Sequence, residues 1–338
     1  MRGLVFLGDR RVAVAEFDDP VAGPGEVVVG IRASGICGSD LNLYRKADPR
    51  ADVVCGHEPC GVVVEVGPGV TERQARVGQR VMIHHYRGCG ACWLCQMGYR
   101  QMCAQAQVMG TDLHGGNAPF LLAPVETLVE LPEELSFAEG AAISCGTGTA
   151  YAALRRLQVG GGETLAIFGQ GPVGLSATQL AVAMGARVIA LDVSPERQAL
   201  AREFGADAVI DARANDPVEA IRALTHGEGA HKTLDTSGAA EARAAAVRAA
   251  RTWGTACYVG ERGQVTLDVS PDLLRRQITL VGSWTFSTQG QADCAEFVAD
   301  HGIAVDRLFT HRWRLDQAEE AYRLFDTQST GKGVILPA

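Results

Sequence analysis

Thr164-Leu-Ala-Ile-Phe-Gly-Gln-Gly-Pro-Val-Gly-Leu175 decides how this chain is read. An apolar run reads as a buried strand. It leads into G-x-G-x-x-G at Gly169, Gly171 and Gly174, with Pro172 and Val173 opening a helix. Alone the glycine pattern is weak; between a strand and a helix it becomes informative. The first glycine allows the tight turn, the second lets backbone approach a pyrophosphate, and the third lets helix pack on strand. The helix N-terminus then offers free N–H groups to phosphate.

The pattern continues on the C-terminal side. Strands are expected at 164–168, 187–191, 208–210, 232–235, 256–259 and 278–281. Helices are expected at 172–184, 195–204, 217–224 and 239–250, with Pro172, Pro195 and Pro217 near helix starts. Six short apolar strands with intervening helices imply a doubly wound parallel sheet, an α/β domain over 148–281. Asp192 closes the second strand, where a carboxylate accepts hydrogen bonds from an adenosine ribose. It would repel a 2′-phosphate, so the expected cofactor is NAD rather than NADP. Asp192 also reads as a turn or N-cap residue. Arg197 reads either as a ribose or phosphate contact or as a solvated helix residue.

Upstream, over 1–147, short apolar runs at 27–33, 61–66, 80–84 and 119–124 alternate with Gly and Pro, a β-rich pattern. The tail, 282–338, is mixed, with a helix at 315–325 and a last strand at 333–336. Trp284 and Phe286 begin this return segment and read as core or as cleft lining.

The 338-residue length suits about two domains. Apolar residues make up 47% and charged residues 21%, which excludes a disordered chain. With 31 Lys and Arg against 39 Asp and Glu, the net charge of −8 offers no global basic field for nucleic acid or an anionic membrane. Charge at Arg2 and Asp9 interrupts the first apolar run, so no signal peptide is read. The apolar stretch 164–191 is broken by glycines and Pro172, so no membrane span is read either. The expectation is a cytoplasmic protein with reduced thiols.

Ten cysteines then need a reason. Cys89, Cys92, Cys95 and Cys103 form C-x2-C-x2-C-x7-C, a spacing that lets four thiolates close around one zinc ion. Disulfides and an iron–sulfur cluster are the competing readings. Four thiolates leave no open position, so a zinc there would be structural. Gly35-Ile-Cys37-Gly-Ser39-Asp40, Cys55-Gly-His57-Glu58 and Ser144-Cys145-Gly-Thr-Gly-Thr149 are further motifs. From spacing alone, Cys37, His57 and Cys145 read as buried structural residues as readily as ligands. Cys55, Cys60, Cys257 and Cys294 read as small buried apolar groups. His84, His85 and Tyr86, just before the lobe, read mainly as packing.

Together, Cys37-Gly-Ser-Asp40, Gly56-His-Glu58, the Cys89–Cys103 lobe, Cys145-Gly-Thr-Gly-Thr149 and Gly169–Gly174 resemble, in order and over essentially the whole chain, the zinc-dependent medium-chain dehydrogenase/reductase family. Gly331-Lys-Gly-Val334 also fits. The resemblance implies a GroES-like β-rich catalytic domain over 1–147 and 282–338, with the Rossmann NAD-binding domain between. It implies a catalytic zinc on Cys37, His57 and Cys145, beside the structural one. Glu58 resembles the acid beside that metal, Asp40 the acid orienting the ligating imidazole, and Ser39 the hydroxyl taking the substrate's proton. Thr149 resembles the residue packed on nicotinamide, and Val259-Gly260 the loop meeting the carboxamide.

The implied activity is reversible hydride transfer between a primary or secondary alcohol and NAD. A polyol or amino-alcohol dehydrogenase of the sorbitol or threonine type is the alternative. A zinc-free reductase and a non-catalytic NAD-binding sensor are the remote ones. The implied partner is a small-molecule alcohol, and the implied assembly a homo-oligomer, a tetramer in preference to a dimer. Asn42 departs from the family, where many members carry a His that relays the proton outward.

Overall fold

The structure, a computed structural model, describes residues 1–49 and 51–337. The chain divides into two compact units. The first comprises 1–148, 285–328 and 332–338; the second comprises 149–284 and 329–331.

In the first unit a sheet runs in the order Phe309–Arg314, Lys332–Leu336, Glu26–Ile36, Glu58–Val66, Arg80–Ile83, Leu128–Glu130, and Phe120–Pro124 also pairs with Glu26–Ile36. Only Phe309–Arg314 and Lys332–Leu336 run parallel. Alternation along Glu26–Ile36 explains its central place. Val27, Val29 and Ile31 enter one core with Val63, Val81 and Leu121, while Ile36 enters another with Leu4, Phe6, Tyr44, Tyr322 and Phe325. A hairpin of Arg2–Gly8 and Arg11–Glu16 turns through Asp9 and Arg10, both at positive φ (50° and 59°), which suits the right-handed strand twist.

The β-rich pattern hid helices here. Phe137–Ala142 begins with a capping box: Glu139 N–H donates to Ser136 Oγ, and Ser136 N–H donates to Glu139 Oε2. It continues through a π-helical turn, Ile143–Thr147, into Gly148–Leu157. Thr288–Asp300, capped by Ser287, is a further helix that the mixed tail concealed.

The second unit holds six parallel strands: Thr164–Phe168, Arg187–Asp192, Ala208–Asp211, Ala230–Asp235, Ala250–Tyr258 and Thr279–Gly282. Counting along the chain, they lie in the order third, second, first, fourth, fifth, sixth. This is the doubly wound arrangement. Pro172, Pro195 and Pro217 each begin a helix. Ala166, Phe168, Ile189, Leu191, Ile221, Ala246 and Ala249 share its core.

The division differs from the expected boundaries by one residue at Gly148 and more at two other places. The chain rejoins the first unit at Thr285 rather than at 282, and residues 329–331 belong to the second unit. There Ser194 Oγ donates to the Ser329 carbonyl, and Arg197 Nε donates to the Thr330 carbonyl. No helix among the described residues is long and apolar enough to cross a membrane.

Candidate active site

Three separate pieces of the first unit bring Cys37, His57, Glu58 and Cys145 together, with potential ligand atoms all within 4.8 Å of one another. Cys37 follows strand Glu26–Ile36. His57 immediately precedes Glu58–Val66, which pairs antiparallel with that strand, Gly35 opposite Glu58. Cys145 sits in the π-helical turn, a local widening that recurs at functional sites. The two sulfurs are 3.8 Å apart.

The donor set fits zinc: two sulfurs, one imidazole nitrogen and a nearby carboxylate. Asp40 Oδ1 lies 2.8 Å from His57 Nδ1, and Asp40 Oδ2 accepts the Cys37 N–H at 2.9 Å. One carboxylate thus steadies two of the donors and leaves Nε2 as the nitrogen that could coordinate a metal. Burial opposes charge on His57, but the Asp40 carboxylate holds its pKa well above the usual value. Contact with the Cys145 sulfur pulls Cys37 well below the ordinary thiol value and pushes Cys145 well above it. Ser39 Oγ stands 3.3 Å from His57 Nε2, on an exposed residue.

Glu58 is fully buried, and burial raises its carboxyl pKa to about 7. Neither oxygen has a hydrogen-bond partner. Lys332 Nζ, itself buried, ion-pairs with Oε2 at 2.5 Å and donates to the Ile36 carbonyl at 3.3 Å. The carboxylate, ion-paired through Oε2, still has Oε1 lone pairs facing the cluster's neighbourhood of two thiols and an imidazole. A Cβ on Gly35 would overlap Glu58 Oε2, so glycine there makes the room. Gly35 and Lys332 act through cross-strand register, which the reading along the chain did not assign.

His85, read as packing, also belongs to this neighbourhood. Its ring centroid lies 5.1 Å from that of His57, and its Nδ1 is 3.0 Å from the carbonyl of Ser144, the residue before Cys145. Burial and the neighbouring His57 hold its pKa well below the usual value. The only sequence signal was two adjacent histidines at the end of a strand.

The four cysteines of the lobe also converge within 4.8 Å. Backbone N–H groups aim at the sulfurs: Cys89 and Gln105 N–H both donate to Cys103 Sγ at 3.4 Å, and Cys92 N–H donates to Cys89 Sγ at 3.3 Å. N–H donation from Cys92 and Ala91 lowers the Cys89 pKa to about 6, and N–H donation from Cys89 and Gln105 lowers that of Cys103. Burial raises Cys95 to about 12. Thiolate-stabilising amides and four converging sulfurs fit a tetrahedral zinc site.

In the second unit the glycine loop has the shape its sequence requires. Gly169 has φ +91°, and a Cβ on Gly174 would overlap the Gly169 carbonyl oxygen. Gly171 is extended, and a Cβ there would meet nothing nearer than Arg197 Nη1 at 3.9 Å. Its absent side chain therefore leaves open space at the N-terminus of Pro172–Ala183, bordered by a guanidinium. Asp192 is 6% exposed, and its carboxylate accepts N–H bonds from Gln170 at 2.5 Å, Val193 at 2.7 Å and Ser194 at 2.8 Å. A carboxylate offers about four acceptor positions, so a site for a ribose hydroxyl remains. Val259 and Gly260 fold over the end of strand Ala230–Asp235, both N–H groups donating to the Asp235 carbonyl at 2.9 and 3.1 Å. Thr149 is buried in the helix Gly148–Leu157, and Val173 is the second residue of its own helix.

Comparison with known proteins agrees with this geometry. Residues 23–133 match the family described as "Alcohol dehydrogenase GroES-like domain", and 172–300 match "Zinc-binding dehydrogenase". The chain is 37% identical, over 97% of its length and 96% of the relative's, to the "Uncharacterized zinc-type alcohol dehydrogenase-like protein YphC" of Escherichia coli (strain K12). Among solved structures it is similar to "Alcohol dehydrogenase TADH from Thermus sp. ATN1" (TM-score 0.93, 29% identity, 99% of both chains). It is also similar to a putative zinc-binding dehydrogenase from Sinorhizobium meliloti 1021 bound to NADP (TM-score 0.89, 29% identity, 99% of both chains). Two ligand clusters on a GroES-like unit, a glycine-loop Rossmann unit and full-length relatives make this chain a member of the zinc-type alcohol dehydrogenase family, the medium-chain dehydrogenase/reductases.

Proposed function

We propose that the protein is an NAD-dependent zinc alcohol dehydrogenase, reversibly moving hydride between a primary or secondary alcohol and NAD. The convergence of Cys37, His57 and Cys145 around one point, with the buried Glu58 carboxylate beside them, carries this reading. Bound zinc would polarise the substrate's hydroxyl oxygen and lower its pKa, and bound nicotinamide would exchange the hydride.

The chain's own residues supply the rest. Asp40 fixes the His57 tautomer. Ser39 Oγ, beside His57 Nε2, takes the hydroxyl proton, and its exposure lets it pass the proton directly to water. This makes a further relay at Asn42 unnecessary. Glu58, ion-paired with Lys332, would hold a carboxylate beside a bound metal. Gly169, Gly171, Pro172, Val173 and Gly174 cradle the pyrophosphate at a helix N-terminus, with Arg197 at its edge, and Asp192 receives the ribose. Thr149, Val259 and Gly260 are assigned to the nicotinamide. The first unit is the catalytic domain and the second the NAD-binding domain. Each chain carries two zinc ions and works in the cytoplasm as a homo-tetramer.

The test is metal analysis with turnover. Two zinc ions per chain and NADH formation with short alcohols are expected; one zinc, bound only by the lobe, removes the catalytic proposal. Because a similar structure binds NADP, kinetics with both cofactors are part of it. Asp192→Asn should reduce the preference for NAD over NADP about 10-fold, and an unchanged ratio removes Asp192 from the ribose site.

A further inference from the structure

The fourth and fifth strands of the second unit end in loops that are locked together. Asp235, the last residue of strand Ala230–Asp235, is fully buried. Its Oδ1 accepts from the N–H and the hydroxyl of Ser237 at 3.0 and 2.6 Å, and its Oδ2 accepts from the Gly238 N–H at 3.2 Å. Arg243, buried on helix Ala240–Ala249, donates through Nε to Asp235 Oδ2 at 3.4 Å and through Nη2 to the Gly260 carbonyl at 2.5 Å. One guanidinium thus spans the tip of one strand and the loop beyond the next, a reach that a fork of donors allows and a single ammonium does not. The Tyr258 hydroxyl donates to the Arg243 carbonyl at 2.9 Å, which ties the fifth strand to the same helix.

Gly260 is held at both of its polar groups. Its N–H donates to the Asp235 carbonyl at 3.1 Å, and its carbonyl accepts from Arg243. Close backbone approach completes the lock: a Cβ on Gly260 would overlap the Gly238 nitrogen, and a Cβ on Gly263 would overlap the Gly238 carbonyl oxygen. A buried ion pair adds little net stability, because the loss of water offsets the attraction. The effect of this one is to fix the direction of both peptide planes at Gly260.

The place of the lock gives it a use. In a doubly wound sheet a dinucleotide lies along the carboxyl ends of the strands, divided where the strand order reverses. Here the order reverses between the first strand and the fourth. The glycine loop follows the first strand and Asp192 ends the second, on the adenosine side. Asp235 ends the fourth and Gly260 follows the fifth, on the side left for nicotinamide. We propose that Arg243 is a positioning residue for the nicotinamide half of the cofactor. Through Asp235 and the Gly260 carbonyl it holds the loop at Val259 and Gly260 in the shape that receives the ring. This rests on the NAD-dependent dehydrogenase reading and adds to it a residue that acts without touching the cofactor.

The test separates the two halves of the cofactor. NADH carries both, whereas ADP-ribose lacks the nicotinamide. Dissociation constants for each are measured by calorimetry on zinc-loaded wild type, Arg243→Lys and Arg243→Leu. Arg243→Lys keeps a cation beside Asp235 but cannot also reach Gly260. It should weaken NADH about 10-fold, the worth of one lost charged hydrogen bond, and leave ADP-ribose within about 2-fold of wild type. Arg243→Leu removes both contacts and should weaken NADH at least as much; if it fails to fold, the lysine variant decides alone. Unchanged NADH affinity in Arg243→Lys overturns the proposal. So does an equal loss for NADH and ADP-ribose, which a merely structural role would give. A wild type that binds neither ligand fails the dinucleotide reading, and this proposal falls with it; wild type alone tells that failure from the other two.

Discussion

The two cysteine-rich sites of the first unit are built in opposite ways. The lobe takes all four sulfurs from one loop, Cys89 to Cys103, stiffened by N–H donation to sulfur and almost without a core; Trp93, Met97 and Met102 around it are exposed. The other cluster draws Cys37, His57 and Cys145 from two strand ends and a π-helical turn that only the folded sheet brings together. Its ligands are buried or half-buried. On the proposed reading, a zinc in the lobe would set the lobe's own shape, whereas the second cluster takes its shape from the sheet.

His57→Ala tests the sharpest form of this difference. Turnover should fall by at least about 1,000-fold, the loss expected when a Lewis acid worth several kcal/mol is removed, while one zinc per chain remains and the lobe keeps its protection from proteolysis. Ser39→Ala should come next, lowering kcat about 100-fold with NAD affinity and zinc content unchanged. A full rate in this variant removes Ser39 as the proton acceptor.

Cys103→Ser should do the reverse of His57→Ala. One zinc should again be lost, but limited proteolysis should open the 89–103 loop, the melting temperature should fall by several degrees, and kcat should drop less than about 10-fold. If this variant lost activity as fully as His57→Ala, the proposed independence of the two sites would be wrong.

The smallest effect concerns Glu58 in metal-free protein. Its folded pKa, about 7, lies above the ordinary carboxyl value, so the native state binds the proton more tightly than the unfolded state. That contribution to stability is complete below the unfolded pKa and is lost as pH rises through about 7. Urea titrations of metal-free protein should show wild type losing stability over that window relative to Glu58→Gln, whose side chain does not titrate. Parallel curves would show that Glu58 keeps an ordinary pKa.

How much of this was legible along the chain follows from the same contrast. The glycine loop and the lobe are local, and their spacing carries their geometry; Gly169, Gly174 and Cys89 to Cys103 could be interpreted before any fold was known. For Cys37, His57 and Cys145 spacing said little, and family resemblance joined them. Gly35, Lys332 and His85 stayed silent because each acts across strands: Gly35 by lying opposite Glu58, Lys332 by pairing with it from a strand near the C-terminus, His85 by meeting the carbonyl before Cys145. The helix Phe137–Ala142 was obscured by Ala and Gly in a region otherwise rich in strands, although its Ser136–Glu139 capping box was present.

Strand Lys332–Leu336 pairs with Glu26–Ile36, and its lysine reaches across 296 residues to the Ile36 carbonyl while ion-pairing with Glu58. On the ribosome that strand emerges after every other strand of the sheet, and after all six strands of the second unit. Until then the nascent sheet has an uncovered edge at residues 34–36, and Glu58 lacks its cationic partner. The Cys37–His57–Glu58–Cys145 neighbourhood is thus completed only after the strands of the second unit have been made, so the order of synthesis separates the assembly of its ligand atoms from the arrival of its buried lysine.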